Sequence, residues 1–399
     1  MIRARVVFLL GLAQLVSWGI TYYMIGAFGE LIAADRGWSR EIVYGGYAAS
    51  LLVMGLTSPL VGRLIDRHGG RRVMNVGALI NAAGCFALAY VDGVVPYLAT
   101  WAMMGIGMRM TLYDAAFATL ARIGGPAARR PIAQITLLGG LASTVFWPLG
   151  QMLAEAFGYR GAIACYGGFA LATILLHLMI PDGHHRDIPK PADEPPPPPP
   201  PSRAAAGSAL MLAASLYAFS AAATNFLNAG ISAHMIGMLA GMGLAFGTAV
   251  WVSSLRGIGQ SAARLVEVLF GRKVEPLNLH VLAAFLMVAG FALGALSGGE
   301  TWAAIAFALM FGAGNGLMTI TRGTIPLVLF DHRTYGAFVG RLLAPSFFLS
   351  AAAPLIYAVT VEAFGGQGGM VLSLAISSLI FVAAVALRLR FGGAAPDRR

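Results

Sequence analysis

The 399-residue chain is 58% hydrophobic and only 11% charged, whereas a water-soluble globule carries about 25% charged residues. A soluble enzyme is excluded, and lipid has to serve as the main solvent. The formal net charge of +10 does not indicate nucleic-acid binding, because the basic residues flank apolar spans as the positive-inside rule requires.

In chain order, Arg3 and Arg5 precede an apolar run from Val6 to Phe28. The start looks like a signal peptide, but the run continues through Trp18 and Tyr22 without a small-residue cleavage site and is read as a retained first span. Further spans are expected at Val43 to Val61, Val73 to Val91, Val95 to Leu120, Ile132 to Phe157, and Ala162 to Ile180. The polar, proline-rich stretch 181–206 cannot bury a core and reads as an extended linker. After it come Gly207 to Ala233, Met235 to Ile258, Leu277 to Leu296, Thr301 to Leu329, Tyr335 to Val361, and Gly368 to Leu387. The expected fold class is therefore an all-α integral membrane protein with twelve transmembrane helices in two pseudosymmetric six-helix bundles, 1–180 and 207–399. The two cysteines, Cys85 and Cys165, lie in apolar segments without a CxxC partner, which suggests neither a disulfide framework nor a zinc site.

Charge sets the expected orientation. One set of loops holds Arg63, Arg67, Arg71, Arg72, Arg122, Arg129, Arg130, Arg264, Arg272 and Lys273, and the other holds Glu30, Asp35, Glu41, Asp92, Glu155, Glu300 and Glu362 with few arginines. Both termini and the linker are accordingly placed in the cytoplasm, in a bacterial cytoplasmic (inner) membrane.

The chain also repeats itself. GRLIDRHGGRR (62–72) and ARLVEVLFGRK (263–273) align at one constant spacing, so that Arg63, Asp66, Arg71 and Arg72 meet Arg264, Glu267, Arg272 and Lys273. Gly105 and Gly107 meet Gly312 and Gly314, and AEAFG (154–158) is echoed by VEAFG (361–365). Such duplication fits two-fold pseudosymmetry about a central pathway.

GRLIDRHGGRR, between the second and third spans, resembles the signature loop of the major facilitator superfamily, and the two-half plan is similar to that superfamily over almost the whole chain. The resemblance implies a gate: Gly62 for close helix approach, Asp66 pairing with a helix end or arginine of the other bundle, and Arg67, Arg71 and Arg72 as a clamp. Arg264, Glu267 and Arg272 are its counterparts. Two departures stand out. Apolar TWAMM, with Trp101, occupies the place of the family's usual fourth-span arginine, and FWPLGQ around Pro148 lacks the paired glycines of the antiporter signature. GWS at 37–39 and an eighth-span arginine are similar to the monocarboxylate and oxalate-formate porter branch.

Ionisable groups inside a span cost about 2.5–3.5 kcal/mol each at the helix centre, so they default to functional candidates. These are Arg109, Asp114, Arg256, Arg322 and Arg341. Arg109 and Arg256 are expected at a midplane site. Asp114, five residues after Arg109 and about 140° round a continuous helix, is not required to pair with it. Tyr22, Tyr113, Asn225, Asn228 and Asn315 add hydrogen-bonding groups. The expected function is secondary transport of a small solute, with an organic anion favoured by the positive balance, by alternating access in the lipid bilayer. A proton is the candidate coupling ion, and no cofactor or nucleic-acid partner is implied. Efflux of a drug-like compound or toxic metalloid is the alternative, and a membrane enzyme or a channel the remote one; the scattered histidines form no HExxH or Ser/His/Asp pattern.

Overall fold

In a computed structural model, the structure describes residues 3–124, 128–182, 203, 207–270, 274–298, 300–330 and 335–392, without the side chains of 129–130, 268, 327, 335–341 and 344. Most of the proline-rich linker, Gly271, Arg272 and Lys273, and the side chains of Arg129, Arg130 and Arg341 lie outside the described residues.

Among the described residues every regular element is a helix. They are α1 (Ala4–Ser17), a π-turn (Trp18–Tyr22), α2 (Met24–Arg36), α3 (Arg40–Leu56), α4 (Ser58–His68), α5 (Gly70–Tyr90), α6 (Val94–Thr111) and α7 (Tyr113–Gly124). Then follow α8 (Arg129–Gly140), α9 (Ala142–Leu178), α10 (Gly207–Gly241), α11 (Phe246–Phe270), α12 (Pro276–Leu296), α13 (Thr301–Leu329) and α14 (Tyr335–Phe391). Among the described residues seven stretches are long and apolar enough to cross a membrane, and the pair α3–α4, bent by 54°, makes an eighth.

Two of these stretches are hairpins. α9 folds back at Gly158, and α14 at Gly365, each with a positive φ and an extended ψ, a conformation essentially confined to glycine. Paired arms follow from the contacts across each bend. The Tyr166 hydroxyl donates to the Phe146 carbonyl at 2.7 Å, and the Tyr357 and Ser373 hydroxyls hydrogen-bond to each other. These bends are the last residues of AEAFG and VEAFG, so the sequence echo marks one hairpin made twice. Opening both hairpins and joining the broken helices resolves the described residues into twelve rods.

The first six rods pack chiefly on one another, through α5 with α9, α3 with α6 and α1 with α8; the last six pack through α10 with α14 and α11 and α12 with α13. The two groups meet along α3 and α14, α9 and α11, and α2 and α10. Lipid gives apolar helix faces little reason to associate, so close packing of small residues has to hold the rods. Gly105 on α6 lies against the Ser50 carbonyl of α3, and Gly312 on α13 lies against the Arg256 carbonyl of α11; a β-carbon at either would sit inside van der Waals contact. Phe157, Leu175, Leu296, Trp302, Phe364 and Leu389 remain exposed, a surface suited to acyl chains and not to water.

Candidate solute-binding site

The site begins at the π-turn of the first rod. The Tyr23 amide bonds five residues back to the Trp18 carbonyl; such single-turn bulges recur at functional positions. The turn places Tyr22 and Tyr23 side by side at the interface between the two groups of rods. The Trp147 indole secures them by donating to the Tyr23 carbonyl at 3.0 Å, and Tyr47 packs on the Tyr22 ring.

Across the interface stands Arg256, at 0% exposure. Its guanidinium donates to Ser232 Oγ at 2.8 Å and to Asn228 Oδ1. It lies 4.9 Å from the Phe311 ring centroid and 5.6 Å from that of Tyr23, a cation–π arrangement that partly replaces lost hydration. Asn228 is the hub. Its Oδ1 also accepts from Asn315 at 3.0 Å, and its Nδ2 donates to the Tyr22 hydroxyl at 3.0 Å, joining the two groups of rods. Among the described residues Arg256 pairs with no carboxylate, and its Nε has no partner. A buried cation with only neutral partners is an unbalanced charge, which is expensive to maintain.

From Asn228 toward the face carrying the termini runs a cavity of about 130 Å³. The earlier rods contribute Trp18, Tyr23, Tyr113 and Gly139 to its wall. The later rods contribute Tyr217, Ser220, Thr224, Asn225, Gln260, Arg264, His280, Asn315, Thr319 and Arg322, and no Asp or Glu among the described residues lines it. On the opposite face a second cavity, of about 560 Å³, lies between α2, α9 and α11, and beside it a polar cluster joins α2, α3 and α10. Arg40 holds Glu30 through two bonds of 3.1 and 2.8 Å, Tyr44 donates to Glu30 at 2.9 Å, and the Tyr44 ring lies 3.8 Å from that of His234 on α10.

The sequence profile described as Major Facilitator Superfamily matches residues 10–340. The chain belongs to that superfamily. Among curated relatives, monocarboxylate transporter 3 of Mus musculus is 32% identical over 144 residues, 35% of this chain and 27% of its own length. Monocarboxylate transporter 1 of Bos taurus is 31% identical over 148 residues, 35% and 27% respectively. The chain thus spans about a quarter of the length of the curated relatives it matches. Among solved structures, a nucleoside transporter NupG mutant superposes with a TM-score of 0.72 at 14% identity, over 97% of this chain and 99% of that one. A bacterial homologue of the human lysosomal transporter Spinster, in an inward-facing and occupied conformation, gives 0.68 at 13%, over 96% of each. At these identities the structures establish the superfamily fold alone.

Several expected site residues are brought together, and others are not. Tyr113, Asn225 and Asn315 line the cavity, while Tyr22 and Arg256 lie one side chain behind its wall, both bonded to Asn228. Arg109 and Asp114 pair with each other, and neither is among the residues that line the cavity. The continuous-helix expectation fails because the chain is extended at Leu112, with ψ −172° between α6 and α7. The break swings Asp114 back onto Arg109 and into the first turn of α7, where a carboxylate also complements the helix dipole.

In the superfamily's signature loop nothing among the described residues lies within 4 Å of a β-carbon built at Gly62, whereas one at Gly70 would meet Thr119. The Asp66 carboxylate is exposed and makes no side-chain bond among the described residues, while its carbonyl accepts from Arg122. Arg67 is exposed, and Arg71 and Arg72 point to Asp182 of the same six rods, at 3.3 and 3.8 Å. Glu267 is half-buried near the end of α11. Arg264, matched by the repeat to the exposed Arg63, is instead 3% exposed and part of the cavity wall. Asn228, as the hub, carried no sequence signal beyond its polarity within a span.

Proposed function

We propose that this protein is a secondary transporter that moves a small organic anion across a bacterial cytoplasmic membrane by alternating access. Residues 1–180 and 207–399 form the rocking halves, 181–206 is the linker, and both termini lie on the cytoplasmic face, where the charge bias places them. The observation that carries the reading is Arg256, a fully buried guanidinium without an acidic partner among the described residues, separated from an acid-free cavity by the Asn228 amide. The names of the monocarboxylate transporter relatives favour a carboxylate as the anionic group.

In this reading Asn228 Oδ1 stands in for a substrate oxygen. An arriving carboxylate takes over the Arg256 bond and frees the Asn228 amide toward Tyr22 and Asn315. Because Tyr22 belongs to the other half, the exchange reports substrate arrival across the interface. The cavity reaches Asn228, in front of Arg256, from the termini side, and the Glu30–Arg40–Tyr44–His234 cluster bars the opposite route. Rocking reverses these two accessibilities. Superfamily membership and the absence of any required chemical step favour transport over catalysis.

The test is a ligand-induced thermal shift on purified protein, with short carboxylates and their neutral amides as probes, since a ligand that binds only the native state raises its stability. Wild type is expected to respond to carboxylates alone. Arg256→Gln should weaken that binding by about tenfold to a hundredfold, from a charge-assisted hydrogen bond of about 1.5–3 kcal/mol. An unchanged carboxylate response in a folded Arg256→Gln protein would defeat the proposal.

A further inference from the structure

Arg256, Gln260 and Arg264 follow one another at four-residue intervals along α11. That spacing places them on one stripe of the helix, drifting about 40° per step. All three are buried: Arg256 at 0%, Gln260 at 6% and Arg264 at 3%. Gln260 and Arg264 both face the cavity.

Arg264 is in the same chemical situation as Arg256. It donates to the Thr136 carbonyl at 2.8 Å and to Thr319 Oγ1 at 3.2 Å, both neutral acceptors. Among the described residues its Nε has no partner, and neither does Gln260 Oε1 beside it. Glu267, one turn farther on, forms no ion pair with it, and no described carboxylate does. A static latch between the halves would need a donor for Thr136 and no net charge, whereas this position buries a second uncompensated cation against the same acid-free cavity.

Resting on the anion-transport reading above, we propose that Arg264 is a second anion subsite and that the transported substrate is a dianion, a short dicarboxylate held with one end at Arg256 and the other at Arg264. Tyr113 stands beside the second end: it lines the same cavity, and its hydroxyl donates to the Thr136 carbonyl at 3.3 Å, the acceptor it shares with Arg264. A carboxylate at Arg264 displaces the guanidinium from Thr136. The same binding event that fills the cavity thereby loosens a contact between the halves on the termini side.

The experiment compares succinate with butyrate, which share a four-carbon skeleton and differ in one carboxylate, by binding to the full-length protein in detergent at neutral pH. Wild type is expected to bind succinate about tenfold more tightly or better. Arg264→Gln should remove that preference and leave butyrate binding little changed, Arg264→Lys should keep part of it, and Arg256→Gln should weaken binding of both ligands by about tenfold to a hundredfold. Equal wild-type affinities for the two acids overturn the proposal without any variant, so misfolding of the variants cannot shelter it. Equal weakening of both acids by Arg264→Gln also overturns it and leaves the Arg256 site standing. If wild type binds neither acid, the broader anion reading falls with it.

Discussion

Gly105 and Gly312 occupy corresponding places in the two halves, and each lets one rod press on the backbone of another: α6 on the Ser50 carbonyl, α13 on the Arg256 carbonyl. The crossings match, yet the residues beneath them do not, a small buried hydroxyl in one half and a buried guanidinium in the other. The contrast extends through the cavity. The first half supplies aromatic rings and a glycine, and the second supplies one tyrosine, a histidine, amides, hydroxyls and two arginines. Duplication has preserved the backbone contacts that small residues make, while the cationic chemistry has been confined to one side. A rocking pair gains from this division, because one half holds the anion while the other presents a surface it can slide across.

The comparison can be broken at the two glycines, where the largest effect is expected. Ala at position 105 or 312 adds a β-carbon inside contact distance of a backbone oxygen, which cannot move aside as a flexible side chain would. Each should destabilise the protein by about 1–3 kcal/mol, the usual cost of overpacking. Only Gly312→Ala should also weaken carboxylate binding, because the strand of backbone it displaces carries Arg256. Ligand titrations run beside ligand-free melts separate the two; equal ligand loss in both variants would show that the halves share the site evenly.

A smaller effect is expected at the duplicated loop. Asp66 and Glu267 correspond in sequence, but Asp66 is exposed while Glu267 is half-buried in α11. If Asp66 finds its partner only when the termini face is closed, Asp66→Asn should slow transport about fivefold, from a surface pair worth about 1 kcal/mol, and leave carboxylate binding in the present conformation unchanged. Transport at the wild-type rate in proteoliposomes would reduce the loop to an ordinary positive-inside signal.

Much of this architecture is legible in the residues. Hydropathy alone requires a lipid-embedded helical chain, and the AEAFG and VEAFG echo marks hairpins whose left-handed glycines are visible only in three dimensions. Arg256 could be singled out because a charge within a span needs a reason. What sequence could not supply was the local break in a helix. Periodicity assumes continuity, so the extended residue at Leu112 and the π-turn at Trp18–Tyr22 reset the faces of every side chain beyond them. The repeat misled in its own way: it equated Arg264 with Arg63, although one position lines a cavity and the other is exposed in the middle of α4. Backbone equivalence does not carry side-chain environment with it.

The smallest effect expected on ligand binding lies at Arg109 and Asp114, where the first half has a charge of its own. Here the cation is balanced, since Arg109 is bonded to Asp114, with side-chain exposures of 12% and 57%. If the uneven division of chemistry between the halves is real, this pair is scaffold. Arg109→Gln and Asp114→Asn should each lower the ligand-free melting temperature. Asp114→Asn should cost more, because it strands the more deeply buried guanidinium without its counter-ion. Neither should alter the thermal response to carboxylates, and the double variant should recover part of the stability lost in Asp114→Asn, since removing both charges leaves neither unpaired. A carboxylate response abolished by Arg109→Gln in a folded protein would place a second cation on the transport route and show that both halves bind the substrate.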